Sequence, residues 1–255
     1  MMTSFSKMAV AGVCVAIIGL STPSTSAGGG GKDVEYSGGV DLVSDYVWRG
    51  QLLTDDPVIQ PYFGIGVKGV LLSVWGSVDT SDYNERGGEE FRFQEVDYSL
   101  SYSLTPAEGL DLTTGVIYYD FPGTWVSATS ETFVSAALSA LPLTPTATVY
   151  YDFDEVNGIY ADLGIGHTFS LTDKLGLNLS AGIGWADEDY NAAYFSVTES
   201  GFNDIGLKGA LEYTVNDNCS ISAYVKYSEL LDGDLEDAVS DSDILSVGTG
   251  IYLSY

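Results

Sequence analysis

The chain has 255 residues, with 36 Asp and Glu against 9 Lys and Arg and a single His, for a formal net charge of −27. A nucleic-acid groove is excluded, because holding phosphates takes a basic face that so few cations cannot assemble. Apolar residues make up 45% and charged ones 18%, with 30 Gly, 18 Tyr and 4 Trp. Disorder needs lower hydrophobicity, and helices avoid this much glycine and this many aromatics.

Residues 1–27 read as an export signal: Lys7 gives the positive start, Met8 to Leu20 the apolar stretch, and Thr25-Ser26-Ala27 the small residues before cleavage. The stretch is too short to span a bilayer as a helix. Cleavage removes one cation and no carboxylate, leaving a net charge of −28. It also removes Cys14, and Cys219 alone cannot close an intrachain disulfide. Residues 28–33 then form a short periplasmic segment ahead of a single domain over 34–255.

From there the sequence alternates apolar and polar residues, and no apolar run is long enough for a membrane helix. In chain order the predicted strands are 34–48, 61–68, 71–78, 95–104, 110–119, 132–140, 146–153, 159–171, 175–185, 204–215, 219–228 and 244–255. Tight turns fall at 69, 105–109, 142–145, 172–174 and 216–218. Mostly longer loops fall between them, at 50–60, 79–94, 120–131, 154–158, 186–203 and 229–243. Short connections on one side and long ones on the other, around twelve antiparallel strands, predict an all-β, up-and-down transmembrane barrel with short periplasmic turns and long acidic extracellular loops.

A soluble barrel alternates too, with its apolar side inward. Here the polar side is mostly Ser, Gly, Thr, Tyr and Asn rather than the Lys and Glu of a face in bulk water. Twelve strands also enclose a backbone radius of about 12 Å, too wide for side chains to fill. The polar face therefore lines a lumen and the apolar face meets lipid. Aromatics near segment ends supply the two girdles at headgroup level: Tyr46, Trp48, Tyr118, Tyr151, Phe153, Phe169, Trp185, Tyr213, Tyr227 and Tyr255. Leu245, Val247, Thr249, Ile251, Leu253 and Tyr255 share one face of the last strand. This resembles the terminal signature by which the barrel-assembly machinery recognises outer-membrane barrels.

Several stretches resemble the TorF-type porins, a family of Gram-negative outer-membrane proteins: Ser44-Asp45-Tyr46-Val47-Trp48-Arg49-Gly50, Trp75-Gly76-Ser77-Val78-Asp79, Glu95-Val96-Asp97-Tyr98 and Tyr118-Tyr119-Asp120-Phe121-Pro122-Gly123. The resemblance covers most of the chain from about residue 33. It implies a porin-type barrel in the bacterial outer membrane and brings no catalytic residues.

Alternation turns Asp45, Arg49, Lys68, Glu95, Asp97, Asp111, Glu131, Asp152, Asp162, Asp204, Lys208, Glu212 and Lys226 inward, with Tyr62 and Tyr160. These are the candidate pore-lining residues, and the surplus of acids predicts a lumen that favours cations or neutral solutes. If side chains project about 5 Å from each wall, the bore before any loop folds inward is about 10 Å. His167 lies among Ile165 and Phe169 on the lipid side, without a serine on that face to activate, so no enzyme is expected. Asp232, Asp234 and Glu236 have alternate spacing, but the glycine and distal glutamate of a calcium loop are missing. A solvated acidic rim that gathers divalent ions loosely, or shares them with lipopolysaccharide phosphates, is the better reading, and no cofactor or dedicated metal site is expected. The chain thus reads as a channel for small hydrophilic solutes. The alternative is a blocked or narrow barrel that works as a structural or binding element through its loops.

Overall fold

Alternating stretches of this length can bury one face and still satisfy every backbone group only by closing into a ring of strands. The computed structural model describes residues 34–81 and 90–255. The export signal at 1–27 and the segment 28–33 lie outside them. Twelve antiparallel strands close one barrel: β1 (Glu35–Val43), β4 (Val58–Val67), β5 (Val70–Asp79), β6 (Arg92–Ala107), β7 (Leu110–Asp120), β8 (Thr129–Ala137), β9 (Thr146–Asp152), β10 (Ile159–Ser170), β11 (Leu175–Ala186), β12 (Gly201–Asn216), β13 (Cys219–Leu230) and β14 (Asp243–Ser254). Each pairs with its neighbours in sequence, apart from the hairpin inserted after β1, and β1 meets β14 to seal the ring. At the seam Tyr36 and Tyr255 exchange backbone hydrogen bonds of 3.1 and 2.9 Å.

The alternation faces as expected. On β6, Tyr98, Leu100, Tyr102 and Leu104 are exposed on the outside, while Glu95 and Asp97 are buried inside. Pro61 falls within β4, three residues after its start. The pairing of β4 with β5 skips Gln60 and Pro61, so the missing proline donor falls where the ladder is interrupted.

Two predicted features are corrected. The first strand ends at Val43, not at Trp48. Ser44 Oγ donates to Asp45 Oδ2 at 2.6 Å and accepts from the Val247 amide at 2.9 Å, which turns the chain off the wall. Beyond that bend, β2 (Tyr46–Trp48) and β3 (Gln51–Thr54) form a separate hairpin inside the barrel. Tyr46 and Trp48 are therefore buried in the lumen, 2% and 0% exposed, and belong to no girdle. Lys68 is likewise not in the bore: with φ of 50° it forms the exposed turn to Gly69 between β4 and β5.

The long-loop end carries two short helices, α1 (Glu188–Phe195) and α2 (Gly233–Ala238). Asp232 caps α2 by accepting from the Asp234 amide at 2.9 Å, which gives this acid a structural task within the acidic loop.

Candidate functional site

The hairpin turns on Arg49 and Gly50, both at positive φ (43° and 81°), as a two-residue turn matched to strand twist requires. Gly50 packs so closely on Leu230 and Asp204 that a Cβ would lie 2.5 and 2.8 Å from their side chains. Tyr46 packs against Trp75 with its ring tilted, centroids 5.6 Å apart, and donates to Glu95 at 2.9 Å. Thr54 donates to Gln94 at 2.9 Å, and Lys226 Nζ donates to the Val47 carbonyl at 3.1 Å. The hairpin is thus tied to the wall on both sides of the lumen.

At its tip, Arg49 makes a bidentate pair with Glu131 of β8, and Tyr119 donates to the same carboxylate at 2.7 Å. The guanidinium lies 4.4, 4.5 and 4.2 Å from the ring centroids of Trp48, Tyr150 and Tyr160. Burial works most strongly against this charge, but Glu131 together with Tyr190 and Tyr119 outweighs it, so the pKa of Arg49 is raised well above its ordinary value. A cation in such an aromatic cage is attracted by each ring face.

The helix α1 closes over this tip. Asp187 caps it, accepting from the Tyr190 amide, and also holds the Ile159 amide of β10, each at 2.9 Å. Tyr190 and Tyr194 then reach Trp48, with ring centroids 6.2 and 5.2 Å away. Burial pushes the Tyr190 hydroxyl up, so it stays protonated. Hairpin, helix and wall form one apolar core that crosses the barrel at its long-loop end.

Of the other inward candidates, Glu95, Asp97, Glu131 and Asp152 are buried on the wall around the hairpin. Asp152 accepts from Thr129 at 2.7 Å and from the amides of Asp154 and Val156, which ties up the start of its loop. Tyr160 donates to Asp204 at 2.9 Å. Asp45, Asp162, Lys208 and Lys226 line a cavity of about 220 Å³ beneath the hairpin. Glu212 lines a second cavity of about 460 Å³ toward the short turns, and Ser180, Lys208 and Tyr252 border both. Tyr62 meets Ser37 at 3.2 Å, and Asp111 accepts from Thr105 at 2.7 Å near the short-turn mouth. Tyr118, Phe169, Trp185, Tyr227 and Tyr255 stand on the outer surface or at its edge. His167 packs against Phe169 there, edge to face at 4.5 Å.

Sequence reasoning missed Tyr190 and Tyr194, which sit in what reads as a plain loop. The signal for them was Asp187 followed by Glu188 and Asp189, a capped and acidic first helical turn.

A closed twelve-strand antiparallel barrel with an apolar outer belt and a polar lumen defines the class of porin-like outer-membrane barrels. Within it, the chain belongs to the family of MltA-interacting protein MipA, whose sequence profile matches residues 82–254. Among solved structures it is similar to the NanC porin, at 10% identity and a TM-score of 0.52, covering 86% of this chain and 98% of that one. The KdgM porin aligns at 10% identity with a TM-score of 0.51, covering 87% and 99%. The COG4313 outer membrane channel from Pseudomonas putida F1 aligns at 8% and 0.51, covering 89% and 97%. These likenesses are of fold. No curated protein matches the chain.

Proposed function

We propose that the chain is a bacterial outer-membrane protein, exported with loss of residues 1–27, whose lumen is held shut at the long-loop end by its own first loop. It acts as a structural or binding element through its acidic loops and its short-turn mouth. The observation that carries this reading is Trp48 and Arg49 lying across the bore, 0% and 9% exposed and fixed to the far wall. The family's description as an MltA-interacting protein also fits a barrel that works through its surfaces. Its further partners are outer-membrane lipid and lipopolysaccharide, and the barrel-assembly machinery through β14. In planar bilayers the intact protein gives no steady conductance, and a variant lacking residues 45–56 gives discrete steps. Steady open steps from the intact protein would overturn the reading.

A second reading is favoured by the likeness to porin folds and by the resemblance to the TorF-type porins. In it the hairpin withdraws, and the barrel passes small hydrophilic solutes with a weak preference for cations. Here the hairpin-less variant shows a cationic reversal potential that shrinks when Asp97, Asp111 and Asp162 are changed to Asn.

A further inference from the structure

The hairpin is held at two places of different chemistry. Its tip is fixed by the fork between Arg49 and Glu131, a pair of opposite charges. Its base is fixed by Tyr46, whose hydroxyl donates to Glu95 Oε2 at 2.9 Å. Glu95 and Asp97 alternate on β6 so that both side chains point into the lumen, and they are 0% and 3% exposed. Asp97 is the second polar neighbour of the Glu95 carboxyl. Two acids therefore meet behind the hairpin, which shields them from water.

The elements around this pair contribute as follows. On β5, Ser77 opposes Glu95 and Trp75 opposes Asp97. On β7, Tyr119 opposes Asp97, and its hydroxyl donates to Glu131 of β8. On β6 itself, Gln94 is bonded to Thr54 of the hairpin and to Ser77, and Arg92 lies opposite Asp79 at the start of the strand. Asp55 and Asp56, which follow β3, are exposed. Of the described cations at the hairpin, Arg49 is paired with Glu131, and Lys226 donates to the Val47 carbonyl from the far wall. Two carboxylates in contact away from water repel, and a pair so placed is relieved by sharing a proton.

We propose that Glu95 and Asp97 hold one proton between them in the closed barrel, and that loss of this proton releases the base of the hairpin and opens the lumen at alkaline pH. The proton passes to hydroxide in the cavity that Tyr46 and Trp75 border. It leaves two carboxylates that only hydration can relieve, and hydration requires Tyr46 to lift from the wall. The closed form binds one proton more than the open form, so rising pH favours opening, by about tenfold per pH unit beyond the release point. Falling pH leaves the acids neutral and the hairpin seated. The proposal rests on the reading of the hairpin as the closure of the lumen, and its test follows the hairpin separately from conductance.

The test follows the full barrel, labelled with fluorotryptophan, by fluorine NMR in detergent and by conductance in planar bilayers. The pH is raised from about 6 to about 9, below the range in which tyrosine hydroxyls ionise. The Trp75 resonance is expected to shift in one step, together with a rise of about tenfold or more in open-channel steps, while that of Trp185 on the outer face stays in place. Glu95→Gln keeps an acceptor for Tyr46 and a permanent donor toward Asp97, so neither readout moves. Asp97→Asn has the same effect and serves if the first variant does not fold. Glu212→Gln, nearer the short-turn mouth, responds as the native protein does. The proposal is overturned if a folded Glu95→Gln or Asp97→Asn variant follows the native pH course, if the native Trp75 resonance does not move, or if a barrel shut at neutral pH stays shut throughout. Steady conductance at neutral pH, with a Trp75 step that Glu95→Gln abolishes, would overturn the closed-lumen reading and leave the proton latch standing.

Discussion

Arg49 and Glu131 face each other through two parallel hydrogen bonds of 2.9 Å, Nη1 to Oε1 and Nη2 to Oε2, joining the tip of the first loop to β8 across the lumen. Removing one partner strands the other charge in a buried site. Arg49→Ala is expected to destabilise the barrel by about 3–5 kcal/mol, measured by urea unfolding from lipid vesicles. Arg49→Lys recovers little of this, because an ammonium cannot reproduce the fork. The Arg49→Ala/Glu131→Ala double variant costs less than the two single changes added together, the sign of direct coupling.

Gly50 supplies a second test, because its backbone is left-handed and its side-chain space is taken by Leu230 and Asp204. Gly50→Ala is expected to cost about 2 kcal/mol or more and to open the bore, seen as conductance absent from the native protein. Gly206→Ala, at an open position, changes stability by about 0.5 kcal/mol or less.

The facing of the barrel is tested on neighbouring strands. Leu72 on β5 is 54% exposed on the outer face. Leu72→Arg places a charge against acyl chains and is expected to cost about 2–4 kcal/mol if that residue lies near the bilayer midplane. Ser101→Arg, inward on β6, folds with a much smaller loss in the same unfolding assay. Equal losses would mean that the lumen is not wet.

Asp187 joins α1 to β10 through two amides. Asp187→Ala is expected to remove about 1 kcal/mol of capping. Hydrogen exchange over residues 188–195 then quickens, while the strands keep their protection. Uniform quickening would show that α1 is no separate closing element.

Nearly the whole wall was legible in the sequence, since period-two patterning fixes both the strand and its facing. The stretch predicted as 175–185 folds as β11 (Leu175–Ala186), and 110–119 as β7 (Leu110–Asp120). The hairpin escaped for a physical reason. Tyr46 and Trp48 keep the same parity as Val40 and Leu42 on the outer face, so alternation continues smoothly through a bend made by two side-chain contacts of Ser44. The local signal was Arg49-Gly50 between Trp48 and Gln51, a two-residue turn that splits a long strand into two. Lys208 and Lys226, assigned inward by parity, border the cavity beneath the hairpin. Their alignment in one row with Ser180 and Ser246 depends on register, which no single strand encodes.

The seam between β1 and β14 has a kinetic meaning. Asp41 and Tyr252, bonded across it, are 211 positions apart, so β1 waits with an open edge until almost all the strands that separate it from its partner exist. Such long-range closure is slow and leaves that edge vulnerable to wrong pairing in the meantime. Assembly therefore favours a late sealing step, and factors that shield the first strand set the yield of correctly closed protein.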